Sequence, residues 1–173
     1  MSIKHNTIII KDYLHVFEEY EAYGTILPGQ LVELTSAGKV QKHSGAGKTA
    51  LVMVAIEDAL QGKAIDEAYA SGDKVRVWIP QRGDMAYLLL ADEDSVSIGD
   101  FVESNGAGFV RKEVRTNESW ESDDAYPGGG AHTLYDQHVV GQAVEAKDLT
   151  SLSTTDSSEF GATTTQHTLI RIM

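Results

Sequence analysis

The chain of 173 residues contains no cysteine, so disulfide staples, thiolate metal centres and cysteine nucleophiles are excluded by composition. Basic residues are also few: 14 Lys and Arg against 26 Asp and Glu give a formal charge of -12. Duplex affinity rests on Lys and Arg neutralising phosphates, so such a surface repels nucleic acid. No apolar run approaches the roughly 20 residues that span a bilayer as a helix. The one apolar stretch near the start, Ile8 to Ile10, is too short for the core of a secretory leader. Neither nucleic acid, nor a membrane, nor export by a leader is expected.

What is present suits one packed domain. Apolar residues make up 42% of the chain, and a chain of this length buries roughly 70% of its unfolded surface. A recurring punctuation sets the fold class: Pro28-Gly29-Gln30-Leu31-Val32, Gly72-Asp73-Lys74-Val75 and Gly99-Asp100-Phe101-Val102. Each places Gly and a polar residue before a Val-containing run, which reads as a turn followed by a strand. Val75, Val77 and Ile79 alternate with Lys74, Arg76 and Trp78 until Pro80, predicting a half-buried strand with Trp78 on the outer face. Gln81 to Asp84 then reads as the turn of a hairpin whose second strand is Met85 to Leu90. Leu51 to Ile56 and Val139 to Ala146 read as strands, Gly106-Ala107-Gly108 as a hairpin turn, and Thr168 to Met173 as a closing strand tied into the sheet.

Two stretches carry helical spacing, Asp12 to Tyr23 through Tyr13, Phe17 and Tyr20, and the shorter Ala64 to Ala70. Glu113 to Gln137 is too polar and Gly-rich for a core and reads as a long exposed loop. Thr150 to Gln166 reads as a Ser/Thr-rich loop or edge. The predicted fold is therefore all-β, a small barrel or sandwich.

Several groupings invite a chemical reading. Ser44-Gly45-Ala46-Gly47-Lys48-Thr49 ends like a phosphate-binding loop, but Lys42 stands where the first Gly belongs, so a turn is expected. His132, Asp136 and His138 could ligate a divalent metal, although solvated loop histidines account for them more simply. The pairs Glu57-Asp58, Asp66-Glu67 and the run Asp92-Glu93-Asp94 lack the spacing of a calcium loop or a glycosidase and read as solvated faces. Arg82-Gly83-Asp84 is an adhesive tripeptide by composition and a hairpin turn by context, and Asn117-Glu118-Ser119 is a chance glycosylation sequon. There is no G-x-S-x-G elbow, so no catalytic residue, metal site or cofactor is assigned. The chain does not read as an enzyme.

One resemblance extends over about two thirds of the chain. Leu31 to Val40, Ala55-Ile56-Glu57-Asp58 with Leu60-Gln61-Gly62, Ala68 to Val75, Leu89-Leu90-Ala91, Val96 to Ser104, Gly108 to Lys112 and Val144 to Leu149, in that order and spacing, resemble the decoration (cement) proteins of tailed-phage capsids. The resemblance implies a β-barrel or β-tulip-like domain over 25–173, preceded by an N-terminal arm over 1–24 and carrying an inserted loop at about 113–137. It implies a structural virion protein with a role similar to that of lambdoid head-stabilising proteins, made in the host cytoplasm and placed on the outer capsid surface. Its implied partners are the major capsid protein, whose subunits it would bridge in the expanded head, and itself, as a homotrimer at threefold and quasi-threefold positions.

By the same analogy the arm adds a strand to a capsid subunit through Ile3, Thr7, Ile8, Ile9, Ile10 and Lys11. The alternative for these residues is an ordinary first strand of the domain itself. The competing functional class is a carbohydrate or host-surface binding module, suggested by Trp78, Trp120, Tyr126 and Tyr135; a β-rich hydrolase using the His132, Asp136 and His138 group is a third.

Overall fold

The computed structural model describes residues 5–14, 16–48, 51–114, 139–150 and 166–173. In chain order its strands are β1 (Ile9–Lys11), β2 (Phe17–Glu21), β3 (Val32–Leu34), β4 (Val40–Lys42), β5 (Val54–Ala55), β6 (Lys74–Trp78), β7 (Met85–Leu89), β8 (Ser95–Val96), β9 (Phe101–Ser104), β10 (Val110–Lys112), β11 (Val139–Ala143), β12 (Lys147–Asp148) and β13 (His167–Ile172). The helical content among the described residues is one 3-10 turn, Ala59–Gln61, started by the Asp58 carboxylate and stopped by Gly62. Among the described residues no helix is long and apolar enough to cross a membrane. The all-β class expected from the sequence is what the structure shows.

Every strand pair is antiparallel. Six strands form the main sheet in the order β1-β7-β13-β11-β9-β10; β2-β6-β5, β3-β4 and β12-β8 form smaller ones, and none of the described sheets closes on itself. The last strand, β13, sits near the middle of the main sheet, between β7 and β11. The closing segment is thus tied into the sheet as its pattern predicts.

Two cores result, and the small sheet β2-β6-β5 is the wall between them. Its strands send alternate side chains to opposite sides, as the two-residue period of a strand requires. Phe17, Val54 and Trp78 join the core under the main sheet, with Leu88, Ile170 and Val102. Tyr20, Ala55, Val75 and Val77 join the second, with Ile26, Val32, Val40 and Tyr69. Trp78, expected on an outer face, is fully buried for this reason: a strand between two cores has no outer face.

Three further expectations are corrected. Asp12 to Tyr23 is no helix but contains β2, because Phe17 to Glu21 pairs residue for residue with Trp78 to Lys74, and tertiary pairing overrides intrinsic helical spacing. Ala64 to Ala70 forms turns, with Tyr69 bridging to Ile26 and its hydroxyl donating to the Ile56 carbonyl at 2.7 Å. β6 and β7 do not form a hairpin, since β6 lies in the small sheet and β7 between β1 and β13. Pro80 has no N–H to continue a ladder, and the turn after it redirects the chain from one sheet to the other.

That turn belongs to a set of four. Leu27 to Gln30, Ala70 to Asp73, Gln81 to Asp84 and Ser97 to Asp100 each hold Gly at the third position, with φ of 87, 91, 98 and 95. In each, the N–H of the fourth residue donates to the carbonyl of the first. The fourth side chain then accepts the N–H of the first, at 2.9, 2.9, 2.7 and 2.9 Å. The capping side chain is Asp in three of the turns and Gln30 in the fourth, each reaching back to the residue three places earlier.

The loops predicted over Glu113 to Gln137 and Thr150 to Gln166 lie almost wholly outside the described residues.

Candidate docking site

The described residues among those assigned to the arm, Thr7 to Lys11, fall along one margin of the main sheet. Ile3 lies outside the described residues. Thr7 is exposed, and its hydroxyl donates to the Glu57 carboxylate. The Ile8 N–H donates to the other Glu57 oxygen at 3.0 Å, while the Ile8 side chain is fully buried in the protein's own core. Ile9 and Ile10 are half-buried against that core, and Lys11 is exposed at the strand's end with its ammonium 4.8 Å from the Tyr13 ring centre. β1 is the outermost described strand on this side. Beyond it, the Tyr13 N–H donates to Asp84 Oδ1 at 2.9 Å. Two carboxylates, Glu57 and Asp84, thus hold the margin at its two ends. Neither was legible from sequence, where they stand 49 and 71 residues from their partners.

The other groupings take structural roles. Asp84 of the Arg82-Gly83-Asp84 turn is fully buried, with its oxygens committed to the Gln81 and Tyr13 amides; an adhesive carboxylate must face outward. The Ser44 to Lys48 stretch leads into a turn at Ala46 and Gly47, tied to Ser104 by Gly47 N–H at 2.9 Å, and the next described residues, 51–56, form no helix. A phosphate cradle needs that helix. Trp78 offers no platform to a sugar, being buried; Trp120, Tyr126, Tyr135, Asn117, His132, Asp136 and His138 lie outside the described residues. Among the described residues no group of three His, Asp or Glu is arranged to hold a metal ion.

One row of side chains has the order of a nucleophile, a base and an orienting acid. His43 Nδ1 stands 2.8 Å from Ser104 Oγ, and its Nε2 lies 3.7 Å from Glu33 Oε2. Glu33 also accepts from Ser44 at 2.6 Å and Gln41 at 2.7 Å, and these bonds draw its carboxyl below the ordinary carboxylate range against an opposing desolvation. Acyl transfer needs a reachable oxygen. Ser104 is 2% exposed and its Oγ already accepts the Gly106 N–H at 3.1 Å. The row therefore joins β3 and β4 to the β9–β10 hairpin rather than attacking a substrate. Glu103 beside it is buried and paired with Arg111 at 2.6 Å.

The strongest electrostatic perturbation is at His167, the first residue of β13. Its ring stacks on Tyr87 with centres 4.9 Å apart. Burial pushes its pKa down to about 4, with Lys147 adding to the effect; the nearby Pro28 carbonyl works the other way, but neither ring nitrogen meets a partner in hydrogen-bond geometry. A histidine so enclosed is a neutral packing element at pH 7.

The described residues assigned to contact thus lie on the margin of an all-β body. No protein-family model and no curated protein matches the chain. Among solved structures the fold is similar to that of the head fiber gp8.5 N base of bacteriophage phi29, at 12% identity and a TM-score of 0.50. The match covers 92% of this chain and 95% of that one, so the likeness extends over nearly the whole of both folds.

Proposed function

We propose that the chain is a structural protein of a tailed-phage virion, mounted on the outside of the head and working by contact rather than catalysis. The observation that carries this reading is the near end-to-end likeness to the base of a phage head fiber. A fold matched over 92% of the chain to a part of a phage head fiber supports a place on the head here. The ordered resemblance to capsid decoration proteins points the same way from the sequence side. In the finer form of the proposal the protein binds the outer surface of the expanded head and bridges major capsid protein subunits as a homotrimer at threefold and quasi-threefold positions. Many copies on one lattice turn modest contacts into firm attachment.

The margin around β1 is the surface assigned to contact. Strand addition remains open to it, since an outermost strand presents unpaired main-chain groups. The Ile8 side chain already fills the protein's own core, so its part in such a contact is limited to the main chain. Co-sedimentation of the purified protein with expanded heads tests the proposal. Saturable binding to the shell supports it; protein left wholly in the supernatant contradicts it.

A further inference from the structure

The main sheet carries exposed cations beside exposed apolar side chains at one end, and a run of carboxylates at the other. Lys11 and Arg171 both stand opposite Met85 on neighbouring strands, so the three side chains share one face. Both cations are exposed, and among the described residues neither has a carboxylate within ion-pair distance. Arg82 is exposed at the tip of the adjoining turn. In their midst Tyr13 is 67% exposed, Leu14 57% and Met173 47%. The region is stiff: the Gly83 N–H donates to Ile172 at 2.9 Å, the Ile172 N–H returns to Asp84 at 2.9 Å, and Asp84 holds Tyr13.

At the far end of β7 the chain turns through Asp92, Glu93 and Asp94, and Leu149, next to Asp148, donates its N–H to the Asp94 carbonyl at 2.9 Å. From Met85 to Asp92 the chain advances roughly 20 Å at the usual rise of a strand. A molecule of net charge -12 has thus gathered cations with no carboxylate partner among the described residues around an exposed tyrosine at one end, and a run of carboxylates at the other.

From this we infer that the patch of Lys11, Tyr13, Leu14, Arg82, Arg171 and Met173 is the docking surface, and that it takes an acidic protein surface of the shell. The inference rests on the proposed function and supplies its contact residues. Tyrosine and arginine are the side chains that most often dominate interface energetics. Cations on this patch select a carboxylate-bearing partner, while the acidic far end disfavours the inverted orientation through like-charge repulsion. Phosphate polymers are a poorer match, because the rest of the surface repels them.

The test compares wild type with two full-length variants of equal net charge. Arg82→Glu/Arg171→Glu alters the patch, and Lys48→Glu/Lys74→Glu makes the same charge change at exposed sites elsewhere. Each is titrated against expanded heads of the phage that encodes the chain, and its mass in solution is measured by light scattering at the same concentrations. Wild type and the Lys48/Lys74 variant should bind alike, the patch variant should lose at least about tenfold in affinity, and wild-type binding should weaken as salt rises from about 0.05 to 0.5 M. Equal binding by the two variants overturns the patch and leaves the functional reading standing. No binding by wild type overturns both. A patch variant that differs instead in its mass in solution identifies a contact between copies of this chain, which also overturns the inference.

Discussion

Asp84 accepts the Tyr13 amide at 2.9 Å across a separation of 71 residues, and the same carboxylate closes its own turn on the Gln81 amide at 2.7 Å. One buried side chain therefore joins the segment after β1 to the turn that opens β7. Removing it leaves two backbone donors without an acceptor, each worth about 1–3 kcal/mol when buried. Asp84→Ala is expected to lower stability by about 3 kcal/mol in urea unfolding, and Asp84→Asn, which keeps one acceptor, by less. An alanine variant within about 0.5 kcal/mol of wild type would show the clamp to be dispensable.

Protonation of His167 sets a pH dependence whose sign follows from its lowered pKa. The folded chain holds the ring neutral down to about 4, whereas an unfolded histidine takes its proton near 6.5. Between those values the unfolded state binds more protons, so stability falls as pH drops from 6.5 towards 4, by about 1.4 kcal/mol per pH unit at most. His167→Phe keeps a ring against Tyr87 and has no proton to take up. The difference in unfolding free energy between wild type and variant should change by about 3 kcal/mol across that window. A difference independent of pH would refute the enclosure of the ring.

Two glycines separate close approach from backbone conformation. A Cβ on Gly141 would stand 2.4 Å from the Arg171 carbonyl oxygen, inside the β11–β13 pairing. Gly141→Ala should cost about 3 kcal/mol or more, or prevent folding, because backbone is what must move. Gly38 has open space around it but a φ of +72, so Gly38→Ala should cost only about 1–2 kcal/mol. Comparable thermal shifts for the two variants would contradict the packing at Gly141.

Arg111→Met leaves the Glu103 carboxylate, 2% exposed, without its partner. A loss of about 3–5 kcal/mol is expected. Replacing both members, Glu103→Gln with Arg111→Met, should recover most of it, and a denaturation cycle over the four proteins measures the coupling. Additive losses would mean that the pair is not a unit.

The sequence exposed what is local and concealed what is distant. Gly29, Gly72 and Gly99 announced their turns because a positive φ and a capping side chain are satisfied within four residues. The β9–β10 hairpin was legible for the same reason, whereas β13 was legible from its own β-rich run and not from its distant partners. Phe17 to Glu21 was misread as helix because Tyr13, Phe17 and Tyr20 satisfy helical spacing, and only the partner strand Lys74–Trp78 decides otherwise. Trp78 was placed outward because alternation tells two faces apart without saying that both are covered. The residues of the proposed patch divide likewise: Lys11 and Tyr13 stand in the predicted arm, whereas Arg171 becomes their neighbour only through β7.

The central claim concerns where the protein sits, and an image of the particle tests it most directly. Under the proposed function, a cryo-EM map of virions carrying this chain is predicted to show its two-core body on the outer face of the head, with the Tyr13 and Arg171 end turned to the shell and the Asp92 to Asp94 end turned outward. Density for the chain on the tail, inside the shell or nowhere on the virion would contradict the account.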